Sequence, residues 1–314
     1  MPAAVVATAF GGPDVLELVE VASVAPGPGE VRVRVRAAAV NPFDHKRYSG
    51  TMGADPSRLP MRLGLEAAGE VLEVGPDAVG PAGPVAVGDA VLVHPVDGGY
   101  ATELTVPADS VVPKPGRLSW EEACGLLGTG VTAVHALTVV RPGAGDTLVV
   151  HGVAGGVGLA VAQLALADGV TVVGTAGAGR HDGLRARGVV PVAYGPGLVD
   201  RLRAAAPGGV DAAVDTVGTD EAVDTSLQLV AARDRIVSIA AWGRADAGIT
   251  LIGGGPGADP GTQVRRAARL DLVRRAEAGT LTVRVAASFP LTRAADAHRL
   301  VAGGHAGGKV VLVP

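Results

Sequence analysis

Residues 147–176 read TLVVHGVAGGVGLAVAQLALADGVTVVGTA: a Val-rich run, a glycine cluster, an apolar stretch of helical character and a second Val-rich run. Four glycines (Gly152, Gly155, Gly156, Gly158) fall within seven positions, a density that neither a helix nor a strand interior tolerates without cost. They mark a tight turn from strand to helix. Two apolar runs separated by a helix-length segment form a βαβ unit, which demands a parallel sheet covered on both faces. The following segments repeat the alternation. Strands VVPVAY, VDAAVDTVG and DRIVSIA are separated by helices around HDGLRARG, LVDRLRAAA and EAVDTSLQLV. This predicts a doubly wound parallel sheet.

The first third reads differently. VLELVEV and EVRVRVRAAAV alternate apolar and polar residues at period two across the turn-forming APGPGE. EAAGEVLEVG, GDAVLVHP and GYATELTVPAD continue the pattern, which predicts a small barrel or sandwich. Ser119 before Glu121 and Glu122 signals a helix start. The tail is mixed: helix TQVRRAARLDLVRRAEAG, strand LTVRVAASFPL, helix RAADAHRLVAG and strand KVVLVP. The segment GGGPGADPG (253–261) is read as flexible and as a domain junction.

The glycine cluster raises the question of what approaches its backbone. A glycine turn leading into a helix N-terminus offers bare N–H groups and a positive dipole end to a pyrophosphate. Val153 stands where the G-x-G-x-x-G fingerprint has its first glycine. The second strand ends in Gly174-Thr175-Ala176-Gly177-Ala178-Gly179-Arg180, with no carboxylate to hold a ribose 2′-hydroxyl. An arginine there suits a 2′-phosphate, so NADPH is expected over NADH.

Composition excludes several classes. Hydrophobic residues make up 48% and charged ones 18%, with a formal net charge of −4 and no run of like charge. A packed globular chain is expected, with no nucleic-acid or membrane partner. The single cysteine, Cys124, rules out an internal disulfide and any four-cysteine metal site. The start MPAAVVATAFGGPDVLE has no signal-peptide pattern, and a cytoplasmic location is expected.

The motifs FGGPDVLELVEV, VNPFDHKRYSG, LGLEAAGEVLEVG, VAVGDAVLV, GYATELTVPAD, GLLGTGVTAVHAL, VVHGVAGGVGLAVAQLA, VDTVG and GKVVLVP occur in one order along the chain. In these it resembles the medium-chain dehydrogenase/reductase superfamily, specifically its zinc-free quinone oxidoreductase branch. The resemblance implies an α/β architecture. A GroES-like β-barrel catalytic domain (1–124 and 261–314) would be interrupted by a Rossmann domain (125–260), with an active-site cleft between them. It also implies homodimers paired through a Rossmann edge strand, here within AGITLIGG. At the family's zinc-ligand positions stand Asn41, Leu65-Glu66 and, beside Cys124, Gly125. No metal is expected.

The resemblance further assigns candidate catalytic residues. Asn41, by its NH₂, and Thr132 would face a quinone or α,β-unsaturated carbonyl substrate. Lys46 and Tyr48 would stabilise charge or supply a proton, Lys46 and Met52 standing where relatives often have tyrosine. For the cofactor it assigns Gly155, Gly156, Val157 and Gly158 to the pyrophosphate and Thr175, Gly177 and Arg180 to the 2′-phosphate. Tyr194 would flank the adenosine. Thr216, Val217, Ser238 and Ala240 would line the ribose and nicotinamide, and His305 and Lys309 would reach the cofactor from the C-terminus. His151 would pack under the cofactor loop. Two alternatives to quinone or enone reduction stay open. One is a biosynthetic enoyl or ketone reductase with a dedicated secondary-metabolite substrate, and the other a non-catalytic NADPH-binding protein.

Overall fold

A computed structural model describes residues 1–304 and 306–314. The chain divides into two compact units, Met1–Gly128 with Arg269–Pro314, and Thr129–Ala268. The junctions lie a few residues beyond 124 and 260, within or beside helices Leu126–Val140 and Thr262–Glu277. The glycine-rich segment 253–261 belongs to the second unit, where it is fastened. Gly253 donates to Asp259 O (2.8 Å) and Asp259 N–H to Leu251 O (2.9 Å). A Cβ on Gly255 would lie 2.1 Å from the Trp242 ring. Gly255 packs against that ring and Gly261 against His135, while Gly253 and Gly257 have open space and take positive φ (+112° and +70°).

The first unit is built on strand Glu30–Val40. Val31, Val33 and Val35 point into the core while Arg32, Arg34 and Arg36 point away, the period-two pattern of a half-buried strand. It pairs antiparallel with Ala67–Val74, Glu103–Pro107 and the C-terminal strand Lys309–Val313. Val285–Pro290 pairs parallel with that last strand. Register places the chemistry: Val310 lies opposite Val40 and Ala38 opposite Ala67. One step further along each ladder, Lys309 comes opposite Asn41 and Glu66 comes beside Ala39.

The second unit is a six-stranded parallel sheet. Its spatial order is Val190–Val192, Thr171–Thr175, Thr147–His151, Ala212–Asp215, Ile236–Ser238, Thr250–Leu251. The order reverses between the strands at 147 and 212, and the crevice at such a switch point is where open α/β sheets take ligands. Leu148, Val149 and Val150 are fully buried, as a two-face-covered strand requires. The edge strand expected to pair in a dimer is two residues long. Trp120–Val140 is long and apolar enough to span a membrane, with mean hydropathy 1.6 and 67% of that stretch buried inside the fold.

Candidate functional site

In the second unit, strand Thr147–His151 delivers the chain to Gly152, whose φ of +75° is open to glycine at little cost. Val153 N–H donates to Thr175 O (3.1 Å) and Gly155 N–H to Gly152 O (3.0 Å), folding the turn flat against the sheet. Helix Gly156–Ala167 then starts from Gly155 with no side-chain cap. A Cβ on Gly158 would stand 2.4 Å from Gly152 O and 2.8 Å from Val153 Cα. The helix start is thus pressed onto the turn, with the backbone of Gly155, Gly156, Val157 and Gly158 at the switch point. Glycine at both Gly155 and Gly156 keeps that face clear of side chains. A pyrophosphate fits such a cradle.

The 2′-phosphate assignment needs correction at Thr175. Its side chain is buried; Oγ1 accepts from Gly152 N–H (3.1 Å) and lies 3.4 Å from His151 Nδ1. It props the turn from below. Gly177 and Arg180 begin the next loop, with Arg180 partly exposed. A Cβ on Gly177 would lie 3.8 Å from the Tyr194 hydroxyl, so these two candidates come together. Tyr194 is 54% exposed on a loop that Arg201 holds by three carbonyls, Ala193 (3.0 Å), Gly195 (2.7 Å) and Pro196 (2.7 Å). Glu221 accepts from Gly195 N–H (3.1 Å). Sequence reading passed over both clamps, because neither stands in a motif.

Ser238 is likewise corrected. Fully buried, it donates to Asp215 Oδ2 (2.6 Å) and accepts from Ala240 and Ala241 N–H (3.1 and 2.9 Å). Asp215 also accepts from Val217 and Gly218 N–H (2.8 and 3.0 Å). One buried carboxylate therefore fixes the loops after two neighbouring strands, those that carry Thr216, Val217 and Ala240. Asp215 was missed as a functional residue, although an aspartate at a strand end before a turn is a readable signal. Thr216 donates to His151 O (2.7 Å), and Val217 is exposed. His151 is buried with Nε2 3.2 Å from Ser226 Oγ, and burial holds its pKa below the usual histidine range.

Thr132 lies on helix Leu126–Val140, and its Oγ1 accepts from Arg265 Nη1 (3.0 Å). Arg265 Nε donates to His135 Nδ1 (3.3 Å), whose Nε2 then donates to Asp259 (3.2 Å). Burial and the neighbouring guanidinium hold the His135 pKa below the usual histidine range, against the pull of Asp259.

The remaining candidates lie in the first unit. Asn41 precedes helix Pro42–Tyr48, and its N–H donates to Asp44 Oδ2 (3.0 Å). Its NH₂ donates to Glu66 Oε1 (3.2 Å) and Ala39 O (3.3 Å), and its Oδ1 accepts from Lys309 Nζ (2.7 Å). Both ends of the amide are engaged within the protein, which corrects the expectation of an NH₂ kept for substrate. Lys309 Nζ also donates to Glu66 Oε1 (2.8 Å), which corrects its assignment to the cofactor. Tyr48 is fully buried with its hydroxyl 2.9 Å from His298 Nδ1, and burial and the Asp44 charge raise its pKa. It is a core residue and no proton donor. Lys46 is partly exposed, with burial lowering its pKa. His305 lies outside the described residues. Among the described residues no group of three or more His, Cys, Asp or Glu side chains is arranged to hold a metal ion.

Residues 27–116 match the alcohol dehydrogenase GroES-like domain family, and residues 189–312 match the zinc-binding dehydrogenase family. The quinone oxidoreductase of Pseudomonas aeruginosa is 32% identical over 327 residues, covering 98% of each chain. The chain belongs to the medium-chain dehydrogenase/reductase superfamily, in its quinone oxidoreductase branch. Its first unit is the GroES-like domain of that superfamily and its second the Rossmann domain. The synaptic vesicle membrane protein VAT-1 homolog of Mus musculus is 38% identical over 221 residues, covering 68% of this chain and 53% of its own. The chain thus spans about half the length of the VAT-1 homologues it matches. A mycobacterial structure complexed with NADPH is similar at 30% identity and TM-score 0.84, with 100% of both chains covered.

Proposed function

We propose that this chain is an NADPH-dependent reductase that transfers hydride to a quinone or an α,β-unsaturated carbonyl compound without a metal ion. The observation that carries the reading is the uncapped glycine turn at the sheet's switch point, followed by Arg180 where an NAD site would carry a carboxylate. NADPH, when bound, supplies a hydride. Gly155 to Gly158 hold its pyrophosphate, Arg180 pairs with the 2′-phosphate, and Tyr194 covers the adenosine beside Gly177. Thr216, Val217 and Ala240 present the loop edges against which ribose and nicotinamide rest. Thr132, whose Oγ1 accepts from Arg265, is the helix residue assigned to face the substrate oxygen.

A quinone that takes one hydride and one proton becomes a hydroquinone. With the Tyr48 hydroxyl sealed in the core, that proton comes from solvent. The quinone oxidoreductase relatives and the mycobacterial NADPH complex support this assignment of reaction and cofactor.

The test is steady-state turnover of a quinone and enone panel with NADPH and with NADH. Saturable oxidation of NADPH is expected, and Arg180→Ala is expected to lower kcat/KM for NADPH tenfold or more, about one charge-assisted contact, while leaving NADH unchanged. An unaltered cofactor preference would remove the phosphate role. Dialysis against EDTA is expected to leave turnover intact, and a loss reversed by zinc would overturn the metal-free part.

A further inference from the structure

Zinc does not fit the positions that the family relationship marks for it. Asn41 offers one neutral oxygen, Leu65 offers nothing, and Glu66 is the sole anion. Gly125 has no side chain, and a Cβ there would lie 2.8 Å from Lys309 Cε and Cγ. The lysine stem fills that space, and its ammonium sits 2.7 Å from Asn41 Oδ1 and 2.8 Å from Glu66 Oε1. Glu66 is 1% exposed and Lys309 6%. The second carboxylate oxygen accepts from Gly128 N–H (2.6 Å), and a Cβ on Gly128 would come within 2.7 Å of Glu66 Oε1. Two glycines, a carboxylate and an amide are thus shaped around one positive charge.

We propose that Lys309 is a tethered cation occupying a site built by Glu66 and Asn41, and that this site is selective for a primary ammonium over a divalent metal. The residues argue for that class directly. A single carboxylate balances one charge, and Asn41 Oδ1 and Glu66 Oε1 are acceptors matched to N–H donors. A divalent ion would keep an uncompensated charge and find too few ligands. The sheet register that sets Lys309 opposite Asn41 delivers the ammonium from the C-terminal strand, so a feature 268 residues away in sequence completes the site.

Truncating Lys309 to alanine removes the equivalent of n-propylammonium. Lys309→Ala is expected to unfold several degrees below the parent, because it leaves a buried carboxylate without its partner. Millimolar n-propylammonium should restore most of the loss. Propanol lacks the charge and tetramethylammonium lacks N–H donors, so neither should. Lys309→Ala/Glu66→Gln should not respond to the amine. Rescue by propanol, no rescue by any amine, an undiminished response in the double variant, or tighter binding of zinc than of the amine would each overturn the proposal. Should Lys309→Ala not fold, Lys309→Met keeps the stem and removes only the charge. Adding Glu66→Gln to Lys309→Met should then raise the melting temperature, and a lowered or unchanged one would reject the site.

Discussion

A methyl group at position 158 would meet Gly152 O and Val153 Cα, both backbone atoms that no rotamer change can move. Gly158→Ala must therefore push the helix away from the turn. Overpacking of this kind costs about 1–3 kcal/mol. The variant is expected to melt several degrees lower and to show a KM for NADPH raised about tenfold, with kcat at saturation less affected. Thermal unfolding and initial rates check this, and unchanged values of both would mean that the turn yields to a methyl group without cost. The same scale marks where sequence reading stops. Thr175 and Ser238 stand at strand ends where ligands are met, and their residue types suit a polar site. Their hydroxyls turn inward, to Gly152 N–H and to Asp215. Residue type and position were legible, but the direction of a side chain at a strand's last residue was not.

Elements were read more fully than residues. Period-two alternation exposed strand Glu30–Val40, and apolar runs exposed the central strands of the parallel sheet, because burial on one or two faces writes itself into the pattern. Pairing between distant strands leaves no such trace, so the partnership of Lys309 with Glu66 was invisible until the register was known. Loop support was also hidden. Helix Leu198–Ala205 carries Arg201, whose guanidinium takes the three carbonyls of the Tyr194 loop. Arg201→Ala frees those carbonyls and lets the loop sample other conformations. Its expected signature is a three- to tenfold rise in KM for NADPH with kcat unchanged, measured beside Tyr194→Ala. A fall in kcat without a change in KM would place Arg201 outside cofactor binding.

At the scale of the whole molecule, pH acts through buried groups, and the GroES-like unit contains two that oppose each other. His298 is fully buried against Tyr48 and Tyr100, and burial, with the charge of His45 second, takes its pKa from 6.5 to about 3. Its Nε2 has no hydrogen-bond partner among the described residues. As pH falls from 6.5 towards 3, the unfolded chain takes up a proton that the folded one refuses, so stability falls. Asp44 is also fully buried, and burial raises its pKa from 3.8 to about 6 despite hydrogen bonds from Tyr100 and from the Asn41 and Gly64 N–H groups. Here the folded chain holds the proton longer, so stability falls as pH rises from 3.8 to 6. Each slope is bounded by about 1.4 kcal/mol per pH unit, and between pH 4 and 6 they oppose. Removing the histidine leaves the Asp44 slope alone. His298→Leu is therefore expected to cost less stability at pH 4 than at pH 7, and its own stability should fall from pH 4 to 6 where the parent stays nearly level. Denaturant unfolding of both proteins across that range measures the difference, and a cost independent of pH would show that His298 titrates normally in the folded chain.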